Sequence, residues 1–174
     1  MTGLTLDAID PHEWARTGRQ THGTLPLAGM ERLCELLDST AGEVEITIAG
    51  QVLAGGRAVL VGSALCSVSV RCQRCLEPFT LRLEAPIRLG LLREDGEIAR
   101  LPEGYEPLIC PLDQELSLAH LIEDELLLVL PDHPHHADGM CSASAVPAQQ
   151  AGKRQPFAAL ASLRKNDPPG GHDD

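Results

Sequence analysis

The sequence predicts an α+β domain: an antiparallel sheet whose long hairpin carries a Cys-x-x-Cys pair, packed by one or two helices. Two alternating runs, Ala58 to Cys72 and Phe79 to Leu91, are separated by only six residues. That gap suits a hairpin turn, whereas a helical crossover to a parallel strand needs about a dozen residues. A third observation is the leucine-rich stretch from Ser117 to Pro131, whose apolar residues recur at helical spacing.

Residues 1–28 are mixed and polar, without clear periodicity. From Ala28 to Asp38 the positions Met30, Leu33, Cys34 and Leu37 share one helical face, which predicts a short amphipathic helix ending before Gly42. Glu43 to Ile48 alternates strictly, with Val44, Ile46 and Ile48 on one side. Gly55-Gly56 reads as a hairpin turn.

In the next strand Leu60, Ala64, Cys66, Val68 and Val70 face one way, while Ser63, Ser67, Ser69 and Arg71 face the other. Its partner points Phe79, Leu81, Leu83, Ala85, Ile87, Leu89 and Leu91 together. Residues 93–107 form an acidic loop rich in Gly and Pro, and Leu108 to Leu112 a short strand. In the helix that follows, Ser117 caps the start and Pro131 stops the end. Leu118, Leu121, Ile122, Leu126 and Val129 make its buried stripe, and Glu123-Asp124-Glu125 reads as a solvated face.

Residues 1–141 are thus expected to form one domain and 142–174 a flexible tail, because SASAVPAQQAGKRQ is small and polar and NDPPGGHDD looks disordered. Within the tail, 156–165 is an apolar island in which Pro156 can start a helix and Phe157, Leu160 and Ala161 share a face. Three or four such anchors, followed by Arg164 and Lys165, suit a segment that docks in a partner's groove.

The composition narrows the partners. With 25 Asp and Glu against 14 Lys and Arg, the net charge is -11, so nucleic acid and anionic membranes are repelled unless basic residues are segregated. The opening MTGLTLDAIDPHEW carries acids and no Lys or Arg, and no apolar run reaches the length of a membrane span. The expected compartment is the cytoplasm, with no membrane role, and there thiols stay reduced. The six Cys are accordingly read as buried thiols, metal ligands or reactive groups before disulfides.

Cys34, Cys66 and Cys110 sit among apolar neighbours and read as core thiols. Cys72 and Cys75 admit three readings. As half of a metal site they need further donors, and PDHPHHADGMC at 131–141 supplies His133, His135, His136, Asp138 and Cys141. Alternatively Cys72 merely continues the apolar face of its strand. A thiol oxidoreductase or redox sensor is the third, although such pairs usually precede a helix and here a strand follows.

No Gly-rich phosphate loop, Ser/His/Asp arrangement or Walker-type lysine occurs, so neither a catalytic site nor a small-molecule substrate is visible. Arg71, Arg74, Arg82, Arg88 and Arg93 outnumber the acids of the Cys-bearing hairpin, and Lys153, Arg154, Arg164 and Lys165 cluster in the tail. Either group suits phosphate contact, and either suits simple solubility; stacking aromatics are almost absent.

Taken together, CQRCLEPF at 72–79, LPEGYEPL at 101–108, LIEDELLLVLP at 121–131, the His136 and Cys141 positions and PFAALASLRK at 156–165 resemble the YceD family, the large ribosomal RNA subunit accumulation proteins. The resemblance covers most of residues 40–165. It implies a bacterial cytoplasmic factor for accumulation or processing of 23S ribosomal RNA, without catalytic activity, whose partners are ribosomal RNA or large-subunit assembly proteins. The family's paired cysteines fall on Cys72 and Cys75, and its later histidine and cysteine on His136 and Cys141, which implies a Cys3His zinc site. Asp132, His133 and His135 depart from the apolar character of relatives at those places. Arg71, Arg74 and Arg82, with Phe157, Leu160, Arg164 and Lys165, are the candidate contacts to RNA or a partner.

Overall fold

The computed structural model describes residues 8–94, 97–98, 101–112 and 114–141. The chain divides into two units, Met1–Ser142 and Ala143–Asp174, and every described residue belongs to the first. The expected docking segment, with Phe157, Leu160, Arg164 and Lys165, lies outside the described residues.

The elements run β1 (Ala8–Ile9), α1 (Pro11–Thr17), β2 (Gln20–Pro26), a 3-10 turn (Leu27–Gly29), α2 (Glu31–Cys34), β3 (Glu43–Leu53), β4 (Arg57–Arg71), β5 (Pro78–Leu92), β6 (Glu106–Ile109), β7 (Leu116–Ser117) and α3 (Leu118–Val129). Strands β2-β3-β4-β5-β6 make a five-stranded sheet in that order, and β1 pairs with β7 in a separate two-stranded ribbon. The fold is α+β, as the hydrophobic periodicity predicts.

Alternation decides which face of the sheet is covered. Val44, Ile46 and Ile48 of β3, Leu60, Ala64, Cys66, Val68 and Val70 of β4, and Leu83, Ala85, Ile87, Leu89 and Leu91 of β5 are all buried. They join Leu33 of α2 and Leu118, Leu121, Ile122 and Leu126 of α3 in one core. Helix α1 packs on β3 and α3 on β5, so helices cover one face, while on the other Val59 and Leu92 are buried near Leu101, which packs against Gly90. Gly50 is where α1 settles: a Cβ there would stand 2.3 Å from the Trp14 carbonyl carbon, so only glycine admits the helix.

Three features differ from the sequence expectation. The first 28 residues contain α1 and β2, and β2 pairs antiparallel with β3 along the sheet edge. The helix expected over 28–38 is shorter, a 3-10 turn followed by α2, although Met30 and Leu33 are buried as its spacing requires. The late short strand is β6, and it pairs with β5 in parallel, Leu91 opposite Leu108. The connection after Leu92 is long enough to travel back along the sheet before re-entering, which a tight turn could not do.

Candidate metal centre

Strands β4 and β5 stay paired to their very ends, Arg71 opposite Pro78. The residues between them form a compact turn in which the Cys72 N–H donates to the Glu77 carbonyl at 3.0 Å and the Leu76 N–H to the Cys72 carbonyl at 2.9 Å. Closing so tightly puts Leu76 at φ 63, in the left-handed region. Cys72 continues the even-numbered, core-facing side of β4 and is fully buried. Its sulfur therefore emerges on the side of the sheet that carries α3.

Helix α3 ends at Val129, and the segment beyond it crosses the Cys-bearing turn. The Gln73 N–H donates to the Pro134 carbonyl at 2.9 Å, stitching the two together. Further along, the Met140 N–H donates to the Ala137 carbonyl at 3.0 Å, and Gly139 takes φ 80. A turn with positive φ at its third position calls for glycine, and this one folds Cys141 back beside His136.

Cys72, Cys75, His136 and Cys141 thus come together, their donor atoms all within 4.8 Å of one another, and the group can hold a metal ion. Cys75 Sγ lies 3.4 Å from His136 Nδ1, Cys141 Sγ 3.8 Å from the same nitrogen and 3.7 Å from Cys72 Sγ. A tetrahedral ion with zinc-like bond lengths separates its donors by about 3.8 Å between sulfurs and about 3.6 Å between sulfur and nitrogen. The three distances above match that spacing, and with every donor within 4.8 Å of the others the set needs only a small contraction to close on an ion. His133 and His135 are exposed and stand outside the group.

Electrostatics separate these thiols from the others. Burial pushes Cys72 upward, but N–H groups of Cys75, His136 and Arg74 donate to it and together bring it down to about 5. Thiolate is the form that ligates metal. Cys141 is raised by burial and by its bonds to Cys72 and Cys75. Cys66 and Cys110 are buried as expected, whereas Cys34 is half-buried at the edge of the core; burial lifts Cys66 to about 11 and also raises Cys34 and Cys110.

Two neighbours of the cluster were not legible as such. Phe79, at the start of β5, places its ring 4.6 Å from the His136 imidazole and so supports its orientation. Arg74 reaches across the surface to the segment after α3: its guanidinium donates to the His136 carbonyl at 2.6 Å and to Asp138 Oδ1 at 3.3 Å. Arg71 likewise bonds Asp38 and, at 3.1 Å, the Leu76 carbonyl. Arg82 is exposed on the outer sheet face and makes no ion pair among the described residues.

Among the described residues no helix is long and apolar enough to cross a membrane. No solved structure matches the chain. A family model described as large ribosomal RNA subunit accumulation protein YceD matches residues 60–164, a span that includes all members of the cluster. The protein named large ribosomal RNA subunit accumulation protein YceD from Haemophilus influenzae (strain ATCC 51907 / DSM 11121 / KW20 / Rd) is 30% identical over 164 residues, covering 90% of this chain and 94% of the relative. With the match running through the β4–β5 hairpin, α3 and the clustered thiols alike, the chain belongs to the YceD family.

Proposed function

We propose that the protein is a non-catalytic cytoplasmic factor for accumulation of 23S ribosomal RNA and for large-subunit biogenesis. What supports this reading is its family membership, carried over nearly the full length of a relative with that name. Its working partners are ribosomal RNA or large-subunit assembly proteins. Net charge of -11 disfavours diffuse contact with RNA, so recognition runs through a local site. Arg82 on the sheet is one candidate for that charge; separately, Arg164 and Lys165 in the 156–165 stretch are another, and Phe157 and Leu160 there supply apolar anchors to a protein groove.

The metal we assign is zinc, bound by Cys72, Cys75, His136 and Cys141. Three cysteine sulfurs and one imidazole nitrogen favour it, and a full set of four protein ligands is the mark of a structural rather than a catalytic site. Zinc so held supplies a cross-link between the hairpin turn and the segment after α3.

A deletion strain tests the function. Large-subunit RNA and mature large subunits should fall, and a plasmid copy should restore them; unchanged ribosome profiles in the deletion would overturn the reading. Elemental analysis of purified protein should find about one zinc per chain.

A redox reading draws on the 3.7 Å between Cys72 and Cys141 Sγ. Alkylation separates the two: chelator-dependent protection of Cys72, Cys75 and Cys141 supports zinc, and one fast thiol indifferent to chelator supports redox chemistry.

A further inference from the structure

We infer that Arg74 is a positioning residue that sets the affinity of the Cys3His group for its metal, rather than a contact to RNA. The inference rests on the metal reading above. Arg74 lies between the two cysteines of the turn, yet its side chain leaves the turn and grips the opposite segment. Its Nη2 donates to the His136 carbonyl at 2.6 Å and its Nη1 to Asp138 Oδ1 at 3.3 Å, while its own main-chain N–H lies 3.5 Å from Cys72 Sγ. One residue therefore touches both halves of the donor set.

The chemistry of the set explains why a cation belongs there. Three thiolates around one divalent ion leave a net negative charge, and the unbound thiolates repel one another more strongly still. The guanidinium offsets that charge at short range. Asp138, its carboxylate partner, is 97% exposed and the Arg74 side chain itself 45%, so water weakens that pair and tempers the guanidinium's pull on the sulfurs, which leaves the hydrogen bond to the His136 carbonyl as the firmer contact. The planar fork also holds the His136 carbonyl, which fixes the backbone from which the imidazole reaches the cluster. Outer contacts of this kind usually change metal affinity by about 10–100-fold when removed. An arginine so engaged is poorly placed to bind a phosphate, in contrast to Arg82.

The experiment is competition of full-length protein with a chromophoric chelator for Zn(II), and direct titration with Co(II), whose absorption bands report the ligand set. Wild-type protein should bind both ions. Arg74→Gln should bind about 10–100-fold more weakly with Co(II) band positions unchanged, because every ligand remains. Arg74→Lys, which keeps the charge and loses the fork, should fall between them. Wild-type affinity in Arg74→Gln overturns the assignment, as does a shifted Co(II) spectrum, which would mean that the ligand set itself was lost. If Arg74→Gln does not fold, the lysine variant decides alone: weakened binding supports the role and unchanged binding refutes it. Failure of wild-type protein to bind either ion is a different result and removes the metal reading itself.

Discussion

Glu123 carries a carboxylate into the interior of the protein, 2% exposed on the core-facing side of α3. Its Oε1 accepts the Leu33 N–H at 3.1 Å and its Oε2 accepts Arg32 Nε at 3.0 Å and Nη2 at 2.8 Å. In sequence the run Glu123-Asp124-Glu125 reads as a solvated face; only Asp124 is exposed, and Glu123 sits three positions before buried Leu126, on the same stripe. The compensating arginine lies on α2, far away in sequence, and no local pattern announces it. Burial pushes Glu123 upward, but the Leu33 N–H and Arg32 outweigh it, so the carboxyl titrates below 4.5, its ordinary value. A depressed acid stabilises the fold above its unfolded pKa, and that contribution disappears as pH falls through the folded value. Glu125 runs the other way, raised by burial and by Glu106 and Asp124. Glu123→Gln should therefore lose about 1–3 kcal/mol in urea unfolding at pH 7 by leaving the Leu33 and Arg32 donors poorly matched, with the gap to wild type narrowing below pH 4.5. A constant gap down to low pH would contradict the assignment. Leu76 makes a similar point about legibility: its left-handed conformation normally signals glycine, and CQRCL contains no such signal.

Short elements escaped the periodic reading for a different reason. Helix α1 is seven residues long, too short to display a stripe, yet its ends are written in the chain. Asp10 caps it by accepting the Glu13 N–H, Pro11 opens it, and Gly18 closes it at φ 66. Strand β2 lies at the sheet edge, where only Leu25 is fully buried, so alternation is weak there. The packing of α1 on β3 can be tested at Gly50. Gly50→Ala should push the helix away and cost about 1–3 kcal/mol in thermal unfolding, since the new methyl meets backbone rather than a yielding side chain. Trp14, the only tryptophan and 5% exposed, would report the displacement as a red-shifted emission. Unchanged stability and emission would show that α1 is not seated as described. The long strands, by contrast, followed their pattern over 64–70 of β4 and 82–89 of β5, where burial alternates cleanly, although Val59 and Leu92 are buried on the other side.

Across the described residues the hydrophobic core and the Cys3His cluster lie apart, so a metal held by the cluster would order a different part of the chain from the core. The core spans the sheet and its three helices, while the cluster joins the end of one hairpin to the segment after α3. Chelation should accordingly raise amide exchange in 72–77 and 131–141 and leave the centres of β3, β4 and β5 protected, with Tm falling by about 5 °C or more as the bound metal's contribution is lost. A uniform rise over the sheet would mean that the metal supports the entire fold. The sequence by itself determined the fold class, the faces of the long strands, the hairpin that bears the Cys pair and the pool of candidate donors. Those properties depend on repeats of two or 3.6 residues and on turn chemistry, all of which act between near neighbours. Family likeness in the sequence names His136, and the tertiary structure brings it to the thiols; only that structure decided that β6 enters in parallel, that Arg32 meets Glu123 and that Arg74 reaches the segment after α3. Each of these depends on where a loop delivers its residues relative to a distant element, and periodicity reports only the side on which a residue stands, never what stands opposite.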